Sequence, residues 1–374
     1  MPTDSAIVEA VRIATLGLIT MFAGYRLLGF VAPKLAKLRV GVDVARNQDR
    51  LLAAAAVGVV IGAYRSAVIL PASMVQIIND LHVVSKAALG GVMICWLRGT
   101  IKPRNRIIFV VLFIVMNLAE LGGGGVGGTF LNLFLFATIY LQARGRVPWV
   151  PLFIALAMLF PFMTTKHKFR QIAWGNKNFD LGPVERGVYF IQLTAEMVSS
   201  GEADFETLQD TASDRANHLA TLTYVMVSTP SLVPYWEGES YASLVWSFVP
   251  RIIYPDKPTK TLGNEFGHRY QLLDPADFGT SYNFEQLVEA YANFGGIGVL
   301  VMQFIFGAIY RMTEELGGTG KDDGATLLSA SAAALVFSIE SDASLVFGSL
   351  IFYIPIGLIG LRWLLKPPKG AQQA

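Results

Sequence analysis

The sequence predicts an all-α polytopic membrane protein. Hydrophobic residues make up 53% of the 374 positions and charged residues only 16%, whereas a soluble domain is nearer to a quarter charged. The mean hydropathy is +0.47. The apolar residues gather in blocks long enough to cross a bilayer core, which takes about 20 helical residues. This pattern excludes an ordinary soluble domain.

Nine apolar blocks are predicted to form transmembrane helices, and they fall into two groups. Six precede a long polar segment: Val11–Val31, Leu51–Leu70, Val83–Leu97, Ile107–Leu121, Thr129–Leu141 and Val147–Thr164. Three follow it: Val288–Tyr310, Ala325–Ile339 and Leu345–Leu365. The predicted organisation is an N-terminal bundle over residues 1–165, a large loop over 166–286 and a C-terminal bundle over 287–374.

Basic residues predict the orientation, because loops rich in Lys and Arg stay in the cytoplasm. These residues lie in the first and third loops, after the fifth block and at the C-terminus: Lys34, Lys37, Arg39, Arg46, Arg50, Arg98, Lys102, Arg104, Arg106, Arg144, Arg146, Arg362, Lys366 and Lys369. With nine spans they all face one side. The C-terminus is therefore predicted to be cytoplasmic, and the N-terminus and the large loop external. The acidic loop RMTEELGGTGKDDG also falls inside, against this trend.

The large loop has helical character of its own. An amphipathic helix is predicted after Gly182-Pro183, with an apolar face of Val184, Val188, Ile191 and Ala195. A second helix is predicted from Glu202 through His218 and into LATLTYVMV. Two apolar runs within 219–253 then flank the Pro- and Gly-containing break STPSLVPYWEGESY. They fit a re-entrant hairpin, interfacial helices or two further spans, which would give eleven.

Several ionisable residues lie at the predicted external ends of spans, where their burial needs a reason. They are Arg65, Lys86, Glu120, Glu340 and Asp342. Two interpretations are open. These side chains either form salt bridges or are solvated at the interface, or they line a polar cavity that opens outward beneath the large loop.

Arginines of the large loop are candidate phosphate ligands, because a guanidinium presents a rigid fork of donors to phosphate oxygens. Pro250 and Pro255 bracket Arg251 in FVPRIIYPDKP, and Lys257 supplies a second charge. The wider set of candidate diphosphate ligands adds Arg170, Arg186, Arg215, Arg269 and Arg65. The loop contains fifteen acidic against ten basic residues, so solvation or a salt bridge is an alternative for each arginine.

Other chemistry has less support. The four histidines show no metal-ligand spacing, Cys95 is the only cysteine, and GGGGVGG lacks the Lys-Ser/Thr of a phosphate-binding loop. No metal, other cofactor or nucleic-acid partner is predicted. Glu289, in QLVEAYANFGGIGV where the loop re-enters the membrane, is the best candidate for a general base. The alternative is a carboxylate that only complements the helix dipole.

Four motifs follow one another between about Pro230 and Gly298: VPYWEG-x-S-Y, FVPRIIYPDKP, G-N-E-F-G and E-x-Y-x-NFGGIGV. In this order they resemble bacterial O-antigen and exopolysaccharide repeat-unit polymerases of the Wzy type, which are related to O-antigen ligases. The resemblance implies a GT-C-like glycosyltransferase bundle in the bacterial inner membrane with a large periplasmic loop. It also implies metal-independent transfer of a glycan from one undecaprenyl-pyrophosphate carrier to a hydroxyl of a second lipid-linked repeat unit.

The resemblance also implies residue roles. Arg251 matches the Pro-Arg position of the family and Glu289 the acid before NFG, so both are expected to be catalytic, with Arg251 and the other cations holding the diphosphate. The ligases have a histidine in a comparable place, so the acid favours a polymerase. The candidate glycan-binding residues are Trp174, Tyr235, Trp236, Tyr241, Tyr282 and His268. Anchoring at the membrane interface explains Trp and Tyr equally well.

The expected partners are the lipid-linked donor and acceptor, the bilayer, a flippase and a chain-length regulator. Three alternatives remain at this point: a ligase-like transferase, a flippase or transporter for a lipid-linked glycan, and a noncatalytic subunit of an export assembly. A transporter is often built from repeats, and the sequence shows no such symmetry.

Overall fold

In the computed structural model, the described part of the chain is built of helices joined by turns and loops. The structure describes residues 3–31, 40–64, 72–175, 179–202, 218–247, 249, 254, 262–317, 322–337 and 340–365. The helices are α1 Asp4–Val31, α2 Gln48–Tyr64, α3 Ala72–Leu97, α4 Pro103–Gly122, α5 Gly127–Arg144, α6 Trp149–Leu159, α7 Pro161–Gly175, α8 Pro183–Ser199, α9 His218–Ser228, α10 Glu239–Ser247, α11 Leu262–Arg269, α12 Gln286–Gly317, α13 Asp323–Val336 and α14 Ala343–Leu364.

Five helical stretches among the described residues are long and apolar enough to cross a membrane. They are Asp4–Gly29, Pro103–Gly122, Trp149–Ala173, Gln286–Leu316 and Ala343–Trp363. Two shorter apolar helices cover Leu81–Leu97 and Asp323–Val336. The all-helical prediction is confirmed, and the helices are of the membrane-crossing kind. The count of nine or eleven spans, and their orientation, stay predictions.

The chain divides into two compact units, each made of separate stretches of sequence. The first unit comprises Met1–Lys37, Ala216–Leu316 and Leu335–Pro355. The second comprises Leu38–Arg215, Gly317–Ala334 and Ile356–Ala374. The predicted boundaries at 165 and 286 concern sidedness in the membrane, which this division does not address.

The first unit has a core to which α1, α9, α11 and the start of α12 contribute. Its largest side chains are aromatic, with Trp236 against Phe284 at 5.1 Å and Phe284 stacked on Phe266 at 4.4 Å between ring centroids. Helices α1 and α12 approach closely at Gly24, which has no side chain. An added Cβ there would collide with the backbone of Phe304. Small residues allow this kind of close helix contact in membrane proteins.

Helix α12 reverses direction at Gly295. This residue has φ 66° and ψ −157°, a conformation that essentially only glycine adopts. Tyr310 donates a hydrogen bond of 2.8 Å to Oε1 of Gln286, which lies 24 positions earlier. Residues so separated would be about 36 Å apart in an uninterrupted helix. The segment 286–294 therefore folds back against the longer helix that follows Gly295, whereas the sequence predicts one span over Val288–Tyr310.

The second unit contains the amphipathic helix predicted in the large loop, now α8. The helix is confirmed, but the predicted apolar face is wrong, since Val188 and Ile191 are both 40% exposed. The buried face instead includes Phe190, Leu193 and Met197. Phe190 stacks on Phe169 of α7 at 4.4 Å, so aromatic packing selects the buried face. Of the second predicted helix, residues 203–217 lie outside the described residues, and its continuation into LATLTYVMV is confirmed as α9.

Candidate functional site

Two motif segments that are distant in sequence meet in the first unit. The backbone N–H of Trp236 donates to the carbonyl of Ala292 at 3.0 Å, and the N–H of Gly238 donates to Oδ1 of Asn293 at 2.9 Å. Gly238 has φ 93°, which favours glycine, and this turn directs its N–H toward the folded-back segment 286–294. The WEGESY and EAYANF motifs are therefore hydrogen bonded to each other.

Glu289 lies at the centre of this contact and is 0% exposed. Its Oε1 accepts a hydrogen bond from Oγ of Ser240 at 2.6 Å. Its Oε2 accepts one from the backbone N–H of Ala343 at 2.7 Å. Ala343 is the first residue of α14, so the carboxylate lies at a helix N-terminus, where negative charge is favoured. This places a carboxylate with two donors between three elements.

Asn293 completes the network, and sequence analysis missed both Asn293 and Ser240. Nδ2 of Asn293 lies 2.8 Å from Oγ of Ser240 and 2.8 Å from the carbonyl of Glu289. Ser240 is 0% and Asn293 1% exposed. The available signal was an amide four residues after Glu289 on an apolar helix, because residues at that spacing share a helix face.

Three of the predicted glycan-binding aromatics border the same segment. The ring of Tyr241 stacks on Phe294, with ring centroids 6.1 Å apart, and Tyr235 lies beside Gly295. The Tyr241 hydroxyl is buried, and no described residue forms a hydrogen bond with it. The third, Trp236, is 3% exposed. Tyr235, Trp236 and Tyr241 are called the aromatic lining below, and they lie beside the segment that carries Glu289 and Asn293.

Arg269 is engaged by carboxylates and an aromatic ring. It forms ion pairs with Glu239, at 2.7 Å, and with Glu265. Its guanidinium lies 4.0 Å from the ring centroid of Trp236, a favourable cation–π geometry. The salt-bridge alternative is confirmed for this residue, and its diphosphate role stays a prediction.

His268 and Tyr282, the other described glycan candidates, lie near α11. Nε2 of His268 is 3.0 Å from the carbonyl of Asp277, and its ring is 5.3 Å from Phe278. Hydrogen bonds from Thr280 and from backbone N–H groups lower the pKa of Asp277. The ring of Tyr282 contacts Phe266 at 5.9 Å. These contacts hold the loop after α11 to the helix.

Two predicted phosphate ligands, Arg170 and Arg186, belong to the second unit and bind backbone carbonyls. Nε of Arg170 donates to Gly124 at 2.7 Å. Arg186 donates through Nε to Leu181 at 2.8 Å and through Nη2 to Phe179 at 3.2 Å. These hydrogen bonds satisfy loop carbonyls, which is a structural role that the sequence did not reveal.

The remaining predicted site residues lie outside the part of the chain that the structure describes. Arg65, Arg215, Arg251 and Lys257 are not among the described residues, and of Trp174 only the backbone is described. Their roles therefore stay predictions that rest on the sequence.

The structure describes four of the five charges at the ends of the predicted spans, and each of these four makes polar contacts. Nζ of Lys86 lies 2.6 Å and Nε2 of His82 2.9 Å from Oε1 of Glu120. Asp342 accepts hydrogen bonds from the backbone and hydroxyl of Ser344 at the start of α14, and Glu340 is 3.7 Å from His218. The salt-bridge interpretation is confirmed for Lys86 and Glu120, whereas Asp342 hydrogen bonds to the first turn of α14. Within the described ranges, no group of three or more His, Cys, Asp or Glu side chains is suited to hold a metal ion.

Glu285 forms a second titratable pair, immediately before α12. Its Oε1 hydrogen bonds to Nδ1 of His218. Burial raises the pKa of Glu285 to about 6; the bond to His218 opposes this shift and the nearby charge of Glu340 adds to it. This pair joins α9 to α12 at a point that responds to pH.

The chain belongs to the family described as Domain of unknown function (DUF8712), which matches residues 3–318. The matched part includes Ser240, Glu289 and Asn293. No curated protein and no solved structure matches the chain.

Proposed function

We propose that this member of the DUF8712 family is a membrane glycosyltransferase. In this proposal it polymerises undecaprenyl-pyrophosphate-linked repeat units into O-antigen or exopolysaccharide at the periplasmic face of the bacterial inner membrane. One observation supports it most: two of the four motif segments that carry the sequence resemblance meet around the buried carboxylate of Glu289. If the WEGESY and EAYANF motifs served only to form separate turns, they would not be expected to contact each other around Glu289.

In the proposed reaction, Glu289 takes the proton from the acceptor hydroxyl of one lipid-linked unit. The hydroxyl oxygen forms a bond to the anomeric carbon of the donor glycan as the bond from that carbon to the phosphate oxygen breaks. Undecaprenyl pyrophosphate leaves with the bonding electron pair. Because charge develops on the leaving group, cations there contribute most, and Arg251 with Lys257 is assigned this role.

The aromatic lining is proposed to hold the acceptor sugar. Aromatic faces stack on the apolar faces of sugar rings, and the buried hydroxyl of Tyr241 can donate to a sugar hydroxyl. Glu289 is fully buried here, so the proposal requires the side chains that cover it to move when substrate enters. A flippase that delivers the units and a regulator of chain length are the proposed protein partners.

The test is complementation of a deletion strain, read as the size distribution of surface polysaccharide on a gel. Arg251→Ala and Glu289→Gln are expected to abolish polymer and leave single repeat units on the lipid carrier outside the cell. Glu237→Gln is the matched control, since this exposed carboxylate lies in the same turn and is expected to support normal polymer. Normal polymer from both test variants would reject the proposal.

The same deletion separates the alternatives. Units trapped inside the cell indicate a flippase, and polymer that forms without transfer to its final lipid acceptor indicates a ligase-like enzyme. Polymer that forms without export indicates a noncatalytic subunit.

A further inference from the structure

The hydrogen bonds around Glu289 have a fixed direction. The N–H of Gly238 can only donate, so the atom of Asn293 that faces it at 2.9 Å must be the carbonyl Oδ1. The amide nitrogen of Asn293 then points to Oγ of Ser240 at 2.8 Å. Since that nitrogen also only donates, the Ser240 hydroxyl accepts from it and directs its own proton to Oε1 of Glu289.

The side-chain part of this chain of bonds is buried, whereas the bond from Gly238 is partly buried. The three side chains are between 0% and 1% exposed, so water does not compete for the donors. An alternative orientation of any member would leave a buried polar group unsatisfied, which costs about 1–3 kcal/mol. One orientation of the carboxylate is therefore strongly preferred.

We propose that Ser240 and Asn293 are positioning residues, which fix the orientation of the Glu289 carboxylate through a hydrogen-bond relay anchored at the backbone of Gly238. This inference rests on the proposed function, in which Glu289 accepts the acceptor proton. Neither side chain touches substrate in this scheme. Their effect is on the geometry of proton transfer, to which catalysis is sensitive.

The experiment uses full-length protein purified in detergent and membranes of the deletion strain. Those membranes carry the accumulated lipid-linked single units, which serve as the substrate probe. The initial rate of polymer formation is measured at increasing amounts of these membranes for the wild type, Ser240→Ala and Asn293→Ala. Thermal unfolding and size-exclusion profiles report on folding in parallel.

The expected result is a fall in the maximal rate of about 10- to 100-fold, the size that corresponds to the loss of a hydrogen bond to a charged group, with an unchanged half-saturating amount of substrate. Such a pattern marks an interaction used in the transition state. Ser240→Thr keeps the hydroxyl and should restore most of the rate. In the double variant Ser240→Ala/Asn293→Ala, the loss of rate should be smaller than the product of the two single losses, because both substitutions interrupt the same relay.

Ser243→Ala is the matched control. Ser243 lies on the same helix and donates to the carbonyl of Ser240 at 2.6 Å, so its substitution removes a comparable hydroxyl from outside the relay. Its maximal rate is expected to equal that of the wild type.

The outcomes separate the two proposals. If Glu289→Gln polymerises normally, or the wild type does not polymerise, the proposed function fails. If Glu289→Gln is inactive but both alanine variants keep the wild-type rate, the relay is rejected and the function stands. A rate loss matched by a loss of folded protein, and not restored by Ser240→Thr, also rejects the relay. Should Ser240→Ala fail to fold, Asn293→Ala decides by the same criteria.

Discussion

Nζ of Lys86 in α3 lies 2.6 Å from Oε1 of Glu120 in α4, with the two side chains 13% and 11% exposed. Nε2 of His82 approaches the same oxygen at 2.9 Å. Gly62 of α2 lies directly against the imidazole of His82, and Gly58 against Ser85. The glycines of α2 thus allow close packing against the part of α3 that carries Lys86. The Glu120 carboxylate joins this packed pair of helices to α4.

Removing one partner of this pair should destabilise the protein, because the other charge is left buried. We expect Lys86→Met to lower the free energy of unfolding by about 3 kcal/mol. The measurement is denaturant titration of the purified protein in detergent micelles. The control is Lys102→Met, which breaks an ion pair of the same 2.6 Å length with Asp49 but at 56% and 68% exposure. Exposed pairs contribute little, and equal losses from both variants would contradict this account.

Glu285 should make stability depend on pH. Its carboxyl has a pKa of about 6 in the fold against an ordinary 4.5, chiefly through burial. The protonated form is therefore favoured by folding, so its contribution is complete below about pH 4.5 and is lost as the pH rises through about 6. Relative to wild type, Glu285→Gln should gain about 2 kcal/mol of stability across that window. Unfolding titrations at several pH values test this.

Two variants control the pH experiment. Glu237→Gln removes an exposed carboxylate, and its stability relative to wild type should stay constant across the same window. His218→Gln removes the hydrogen-bond partner that lowers the pKa of Glu285. The pKa should then rise further, and the pH range over which stability is lost should extend to higher pH. A constant difference between wild type and Glu285→Gln from pH 4 to 7 would refute the assignment.

Gly295 is required by its backbone conformation. With φ at 66°, any side chain there is strained, and the cost is about 1–3 kcal/mol. Gly295→Ala is thus expected to reduce the unfolding free energy by that amount. Gly127→Ala is the control, since a methyl group there meets no atom within 4 Å. A Gly295→Ala protein as stable as the wild type would argue against the reversal in α12.

The buried face of α8 can be tested by two adjacent substitutions. Phe190 is 0% exposed, and Phe190→Ala should cost about 3–5 kcal/mol through the cavity it leaves. Ile191→Ala, at a side chain 40% exposed, is expected to cost much less. The reverse order would restore the face that the sequence predicted.

Some features could be predicted because they depend on local pattern. The helical class follows from apolar blocks, and α8 follows from a Pro at its first turn. Glu289 was found because an acid at the start of an apolar helix is conspicuous in one sequence. The paired charges Lys86 and Glu120 were likewise visible as residues out of place.

Other features depend on contacts between distant segments. The roles of Ser240 and Asn293 depend on contact between the turn at Gly238 and the folded-back segment 286–294, which the sequence does not show. The carbonyl contacts of Arg170 and Arg186 could not be predicted because the sequence does not show which loop carbonyls lack a donor. The reversal at Gly295 was missed because hydropathy averages over residues and contains no information on backbone dihedral angles.

The bond from Ala343 to Glu289 has a mechanical consequence. Any motion that withdraws Glu289 toward an incoming substrate also takes the acceptor away from the first amide of α14, a helix of membrane-crossing length. Asp342 already binds the next two amides of that turn, so the helix end keeps its cap while it loses one tether. Withdrawing Glu289 and releasing the first amide of this helix are then one event.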